Sequence, residues 1–177
     1  HVGMDIGRMV KELDKLKVSM AVGETRITDS HIEQYIGLSK EYNTFELNDA
    51  VLKQDVGRAM RIAEHFAHNQ KTYPITLTIT ILFGLFQQLF LLNYHMWQSR
   101  KRGIPMPSDA ELMRAIRANN PFAVKELKAN IGRWNGPRLF KILGYLREYD
   151  AKSKGVDSGG LDGGELLKEL LLKIFMS

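Results

Sequence analysis

The sequence predicts an all-α protein, and three observations support this fold class. Apolar residues recur at three- and four-residue spacing through most of the 177 residues, which is the period of amphipathic helices. Asp, Asn, Ser or Thr repeatedly stands just before such a segment as a helix-start signal, and no segment gives a convincing strand. The composition, 44% hydrophobic and 25% charged, is that of an ordinary globular protein and argues against wholesale disorder.

Four helices are predicted in the first 68 residues. The first covers about residues 4–17, and the second follows Thr28. A capping-box spacing at 43–46 opens the third, and Asp55 caps the fourth. The polar segment 68–73 comes next, followed by a proline. Because the charge pattern and the hydrophobicity both change there, this segment is our expected domain boundary.

An uncharged segment of 23 residues follows, from Thr72 to Tyr94. Its first half alternates like a strand, but the apolar continuation and Pro74 at a first-turn position predict a helix. The polar or small residues fall on one helical stripe, namely Thr76, Thr80, Gly84, Gln87 and Gln88. The segment is long enough to span a bilayer. Since two adjacent glutamines are costly in mid-membrane, we expect a buried bundle helix and keep a membrane span as an alternative.

The rest of the chain predicts a loop and four more helices. The loop covers residues 99–107 and is strongly basic at its start. Ser108, Asn120 and Asn135 each precede a predicted helix. Residues 156–164 form a Gly-rich connector, and Asp162 near its end opens the final Leu-rich helix.

The formal charge of +5 is unevenly spread, since residues 99–155 carry 13 basic and 5 acidic side chains, a balance of +8. Such a segment can attract nucleic acid or an acidic partner, although a solvated helical surface has the same composition. Arg100, Lys101 and Arg102 form a candidate basic patch for DNA or a partner. In a helix-turn-helix interpretation, seven cations would meet phosphates: Arg114, Arg117, Lys125, Lys128, Arg133, Arg138 and Lys141. No predicted helix offers a clear cluster of side chains for reading bases.

No motif commits the chain to catalysis. The absence of cysteine excludes disulfides, thiol nucleophiles and Cys-ligated zinc. His65 and His68 lie one helical turn apart, but no third ligand has a telling spacing. The glycines of the connector lack the Lys-Ser/Thr of a phosphate loop. We therefore expect no catalytic, cofactor-binding or metal-binding residues, and no cofactor.

Several blocks together carry a family resemblance. The segment 145–155, Tyr-Leu-Arg-Glu-Tyr-Asp-Ala-Lys-Ser-Lys-Gly, is followed by a Gly-rich gap and by 166–170, Leu-Leu-Lys-Glu-Leu. Upstream lie Glu-Leu-Asp-Lys-Leu at 12–16, a block at 36–47 and the helix headed by Pro74. In this order the blocks resemble the C-terminal part of the delta subunits of the bacterial DNA polymerase III clamp loader.

The resemblance implies a fold, partners and a role. Clamp-loader subunits are similar to AAA+ proteins, and the chain would supply a small helical lid domain, 1–68, and a helical collar domain, 73–177. The N-terminal nucleotide-binding-like domain, which in this family grips the sliding clamp, would be missing. The chain would then be a non-catalytic, cytoplasmic part of a DNA-directed DNA polymerase holoenzyme. It would support assembly of the pentameric loader that opens the clamp and places it on primed DNA, with only weak or indirect contact to primer–template DNA.

In a collar, some apolar and charged side chains face neighbouring subunits. Our interface candidates are Tyr145, Arg147, Tyr149 and Lys152. The alternative for the tyrosines is a place in the core, which is where apolar residues at helical spacing usually lie. A helical DNA-binding regulator that uses the basic 99–155 segment is the second interpretation of the whole chain.

Overall fold

The computed structural model describes residues 42–118 and 120–177, together with the isolated helical positions 10, 14, 17 and 18. All regular structure in these residues is helical, which confirms the predicted all-α class. Apart from those isolated positions, the helices expected at about 4–17 and after Thr28 lie outside the described residues. The seven described helices are α1 Thr44–Lys53, α2 Val56–His68, α3 Ile75–Arg102, α4 Asp109–Ala115, α5 Pro121–Asn130, α6 Gly136–Ser153 and α7 Gly163–Met176, with a 3₁₀ turn at Ile131–Arg133.

Five predicted helix starts are confirmed by their caps. The side chains of Asp55, Asn120 and Asn135 each accept a hydrogen bond from the backbone N–H three residues later. Ser108 and Asp162 form complete capping boxes with the glutamates three residues on. These side chains satisfy N–H groups that have no partner within their own helix.

Trp134 joins three parts of the core. It is fully buried, and its indole N–H donates to the carbonyl oxygen of Leu52 at 3.1 Å. Its ring meets Phe86 of α3 edge-on with centroids 5.3 Å apart. The side-chain amide of Asn93 donates to its carbonyl oxygen at 3.1 Å. The turn before α6 is thereby fixed to both α1 and α3.

Helix α2 packs against α7, the last helix of the chain. The close contact is between Ala67 and Gly164, and Lys168 pairs with Glu64.

Thr44–Ser177 is one compact unit, while His1–Asn43 forms the other. The structure therefore differs from the expected break at 68–73. That segment is a turn between two helices of one unit, closed by Phe66 stacking on Tyr73 at 4.1 Å.

Helix α3 confirms the helical interpretation of the uncharged segment but is longer than predicted. Its 28 residues run to Arg102, and Gly103 ends it in the left-handed conformation at φ 65°. Residues 99–102, which we expected in a loop, are its last turn.

By length and composition α3 is able to span a membrane. This is weak evidence, because the core helix of a soluble protein passes the same test. The inner side of α3 is buried at Thr78, Ile79, Leu82, Leu85, Phe86, Leu89 and Leu92.

Candidate interaction surfaces

The four interface candidates of α6 lie in different environments. Tyr149 is fully buried, so its ring belongs to the core and our interface assignment for it does not hold in this fold. Tyr145 and Lys152 are partly exposed, and Arg147 is exposed. Spacing alone did not separate these residues, because 145 and 149 are one turn apart and the boundary of the core passes between them.

Lys152 is held within the protein by a charge network between α6 and α7. Its ammonium group lies 2.9 Å from the carboxylate of Glu148, which is also 3.3 Å from Lys173. The hydrogen bond from Lys152 lowers the pKa of Glu148, and Lys173 adds to the effect. The same bond raises the pKa of Lys152. The Lys152 ammonium also lies 4.6 Å from the ring centroid of Tyr149. This ammonium group is therefore already in contact with Glu148 and Tyr149 of its own helix.

The hydroxyl of Tyr149 is buried beneath this network. It has no hydrogen-bond partner of good geometry among the described residues. Burial raises its pKa strongly, and the carboxylate of Glu169 adds to the rise. The tyrosine therefore stays neutral and acts as a packing residue, with Lys152 and Lys173 above its ring.

Arg147 remains available to a partner. It forms no ion pair with any residue in the described part of the chain, and it lines two clefts. One, of about 520 Å³, lies between α6 and the connector, with Gly144, Ala151 and Val156 in its lining. The other, of about 310 Å³, is the α3–α6 groove, formed by Ile79, Thr80, Phe83, Leu146, Arg147 and Asp150.

Two exposed phenylalanines, of which Phe83 lines the α3–α6 groove, are not among the predicted site residues. Phe83 is 44% exposed and Phe140 is 73% exposed. Phe140 follows Leu139, which starts the buried face of α6 continued by Ile142 and Leu146. Phe140 lies one position after the buried Leu139, so its side chain does not belong to the buried face of α6. Arg147 follows seven residues later on the same helical face as Phe140. This offset is visible in the sequence and was a signal for a solvent-facing aromatic.

The basic patch at 100–102 has a different setting from the expected loop. All three side chains are exposed at the end of α3, where cations interact favourably with the negative end of the helix dipole. No ion pair among the described residues involves them. Arg100 and Lys101 line a cleft of about 310 Å³ together with Trp97.

The structure separates the seven cations of the helix-turn-helix interpretation. Lys128 pairs with Asp109. Arg133 donates to the carbonyl oxygen of Lys53 at 2.5 Å. Arg138 donates to the carbonyl oxygens that end α7 and lies 4.4 Å from the Trp134 ring. Lys141 lies over the ring of Tyr145. Only Arg114, Arg117 and Lys125 are exposed and have no such contact within the described residues.

No metal-binding group of three or more His, Asp or Glu side chains is found in the part of the chain that the structure describes. His68 instead hydrogen-bonds through its ring Nδ1 to the carbonyl oxygen of Glu64 at 2.8 Å. His65 lies against the rings of Phe66 and Tyr73.

Comparison of the chain with protein-family models, with curated proteins and with solved structures gives no match.

Proposed function

We propose that the chain is a non-catalytic structural part of a bacterial DNA polymerase III clamp loader, in which its helices contact neighbouring subunits and support assembly of the loader. The proposal rests on the resemblance of the sequence blocks to delta subunits. An all-helical unit with side chains available for contact on more than one helix is compatible with it. Under this proposal the helices α3 to α7 contribute the collar, and α1 and α2 belong to the same compact unit, Thr44–Ser177.

The observation that carries an interaction role is the α3–α6 groove with Phe83 and Arg147 in its lining. Phe140 lies two turns before Arg147 on the same face of α6. Phe83 and Phe140 expose large apolar areas, and burying such area on association is favourable. Arg147, at the edge of the groove, has no acidic partner in the described residues. Aromatic and arginine side chains are the residues that most often dominate binding energy at interfaces. An apolar partner helix with a carboxylate opposite Arg147 would complement this surface.

The structure changes the set of residues that we assign to the interface. Tyr149 and Lys152 support α6 from within, since the first is buried and the second is paired with Glu148. Arg147, Phe140 and Phe83 take their place as contact residues, and Tyr145 stays as a partly exposed candidate.

The test is reconstitution with purified clamp-loader subunits, with complex size measured by light scattering. We expect the chain to join a complex of defined size, and Arg147→Glu together with Phe140→Ser to weaken it. Arg114→Glu is the matched control, because Arg114 is also exposed and without an ion pair but lies on α4. If the folded chain joins no complex with any loader subunit, the proposal is wrong.

The helical DNA-binding regulator remains the second interpretation of the basic segment. Its cation set is smaller than the sequence indicated, because Lys128, Arg133 and Arg138 have partners within the protein. Sequence-preferring binding to duplex DNA would favour it over a structural role. Weak binding that disappears with added salt would not, since backbone contacts alone release counterions.

A further inference from the structure

The C-terminal end of α3 carries two exposed aromatic rings. Tyr94 and Trp97 are 45% and 44% exposed, and their planes differ by 19° with centroids 6.3 Å apart. Gln98 donates a hydrogen bond of 2.9 Å to the hydroxyl of Tyr94, which holds that ring in place. The second tryptophan, Trp134, is fully buried in the core. Trp97 is therefore the tryptophan that solvent and ligands can reach.

Three cations without acidic partners follow these rings on the same helix end. Arg102 lies 5.1 Å from the ring centroid of Trp97. Arg100 and Lys101 line the cleft beside Trp97, which contains no acidic side chain. Arg100 also lines an adjoining cleft of about 350 Å³ that is equally free of acidic side chains. Within the described residues, none of the three cations has its charge neutralised by a carboxylate.

The cleft also meets the start of another helix. Gly136, the first residue of α6, is part of its lining. The partial positive charge at a helix N-terminus adds to that of the side chains. The cleft therefore places the exposed ring of Trp97 beside two cations, Arg100 and Lys101, while Tyr94 and Arg102 adjoin Trp97 outside its lining.

We propose that this surface, made of Tyr94, Trp97, Arg100, Lys101 and Arg102, binds a single strand of nucleic acid. A base stacks on the exposed indole of Trp97, and the arginines and Lys101 contact the phosphates on either side. Aromatic stacking with a cationic groove is the general mode of binding unpaired strands, and it is tolerant of sequence because every base has a flat face. A duplex offers only its phosphates here, since its bases are already stacked. This binding is separate from subunit assembly and does not depend on it.

The experiment titrates the full chain into a fluorescein-labelled 16-nucleotide oligothymidylate and measures anisotropy at low and physiological salt, with the duplex of the same length as comparison. We expect the single strand to bind more tightly than the duplex, with an affinity that falls as salt rises. Binding should quench the accessible tryptophan emission. Trp97→Ala should weaken binding about 10-fold or more, as expected for the loss of one stacked base.

Charge controls distinguish a site from general attraction. The triple variant Arg100→Gln, Lys101→Gln, Arg102→Gln should lose most of the binding. A matched triple, Lys71→Gln, Arg114→Gln, Lys125→Gln, removes the same charge from exposed positions elsewhere and should bind nearly as well as the original chain. Far-UV circular dichroism establishes that each variant is folded. The proposal is overturned if both triple variants lose binding equally, if Trp97→Ala keeps the original affinity, or if the duplex binds as tightly as the single strand. Displacement of the strand by polyglutamate of equal charge would overturn it as well.

Discussion

Gly164, in the first turn of α7, lies where that helix comes nearest to α2. A Cβ atom at this position would overlap the Cβ of Ala67 and come within 2.8 Å of its Cα, which is backbone and cannot rotate away. Glycine is thus required here by space and not by a special backbone angle. The glycine spacing of the connector was visible in the sequence, but the contact was not, because it joins residues almost a hundred positions apart.

We expect Gly164→Ala to lower the free energy of unfolding by about 1–3 kcal/mol, the usual cost of inserting a methyl group into a packed contact. Urea denaturation followed by circular dichroism measures it. Gly144→Ala is the control: Gly144 is inside α6, and a Cβ there meets nothing within 4 Å. It should be neutral or stabilise by up to about 1 kcal/mol, since alanine is the better helix former. Equal effects of the two substitutions would contradict the steric explanation.

Local signals at single residues were predictable, whereas partners distant in sequence were not. The caps at Asp55, Ser108, Asn120, Asn135 and Asp162 depend only on the next three residues, and all five are confirmed. Arg133 donates to a carbonyl oxygen of α1, and Arg138 donates to carbonyl oxygens at the end of α7. No pattern within their own helices indicates these hydrogen bonds.

At the scale of elements, α6 and α7 are joined by the network of Glu148, Lys152 and Lys173 as well as by apolar packing. The Glu148 carboxylate lies between the two ammonium groups, which hold its pKa below its ordinary value. A carboxyl group that is more acidic in the folded than in the unfolded state stabilises the fold above its unfolded pKa, about 4.3. This contribution is lost as the pH falls through the folded pKa.

We therefore expect Glu148→Gln to destabilise the protein at pH 7 and to have a diminishing effect as the pH falls below about 4. The Glu148 side chain is 42% exposed, so solvent screening limits the loss at pH 7 to about 1 kcal/mol or less. Urea denaturation of both proteins across this pH range measures the difference. In 1 M salt, where the screening length is about 3 Å, the difference at pH 7 should shrink. A difference that is the same at pH 3 and pH 7 would refute the ionic explanation.

The length of α3 shows where element prediction from composition fails. A run of basic residues followed by Gly and Pro is typical of a loop, and we placed its start at Ser99. The helix continues to Arg102, because basic side chains in a last turn interact favourably with the helix dipole and Gly103 supplies the left-handed residue that ends it. The basic patch therefore lies on the same helix as Trp97, and one helix carries both the ring and the cations of the proposed strand-binding surface.

At the scale of the whole molecule, the change of composition at 68–73 marks a turn and not a division of the fold. Four residues of α2 are buried, namely Ala59, Ile62, Ala63 and Phe66, and α2 packs against α7. Trp134 donates to Leu52 of α1. The hydrophobic core of the unit from Thr44 to Ser177 thus needs the helices on both sides of the segment 68–73.

The corresponding prediction compares two fragments, 44–177 and 73–177. We expect 44–177 to unfold in a single transition, with circular dichroism and tryptophan emission changing together, as cooperative domains do. The fragment 73–177 lacks α2, so the apolar face of α7 that packs against it becomes exposed. It also lacks Leu52, whose carbonyl oxygen accepts the hydrogen bond of the Trp134 indole. That fragment should lack a cooperative transition, and its tryptophan emission should shift to the red. If 73–177 instead unfolds cooperatively with the emission of the longer fragment, then α1 and α2 are dispensable for the core and the boundary at 68–73 is restored.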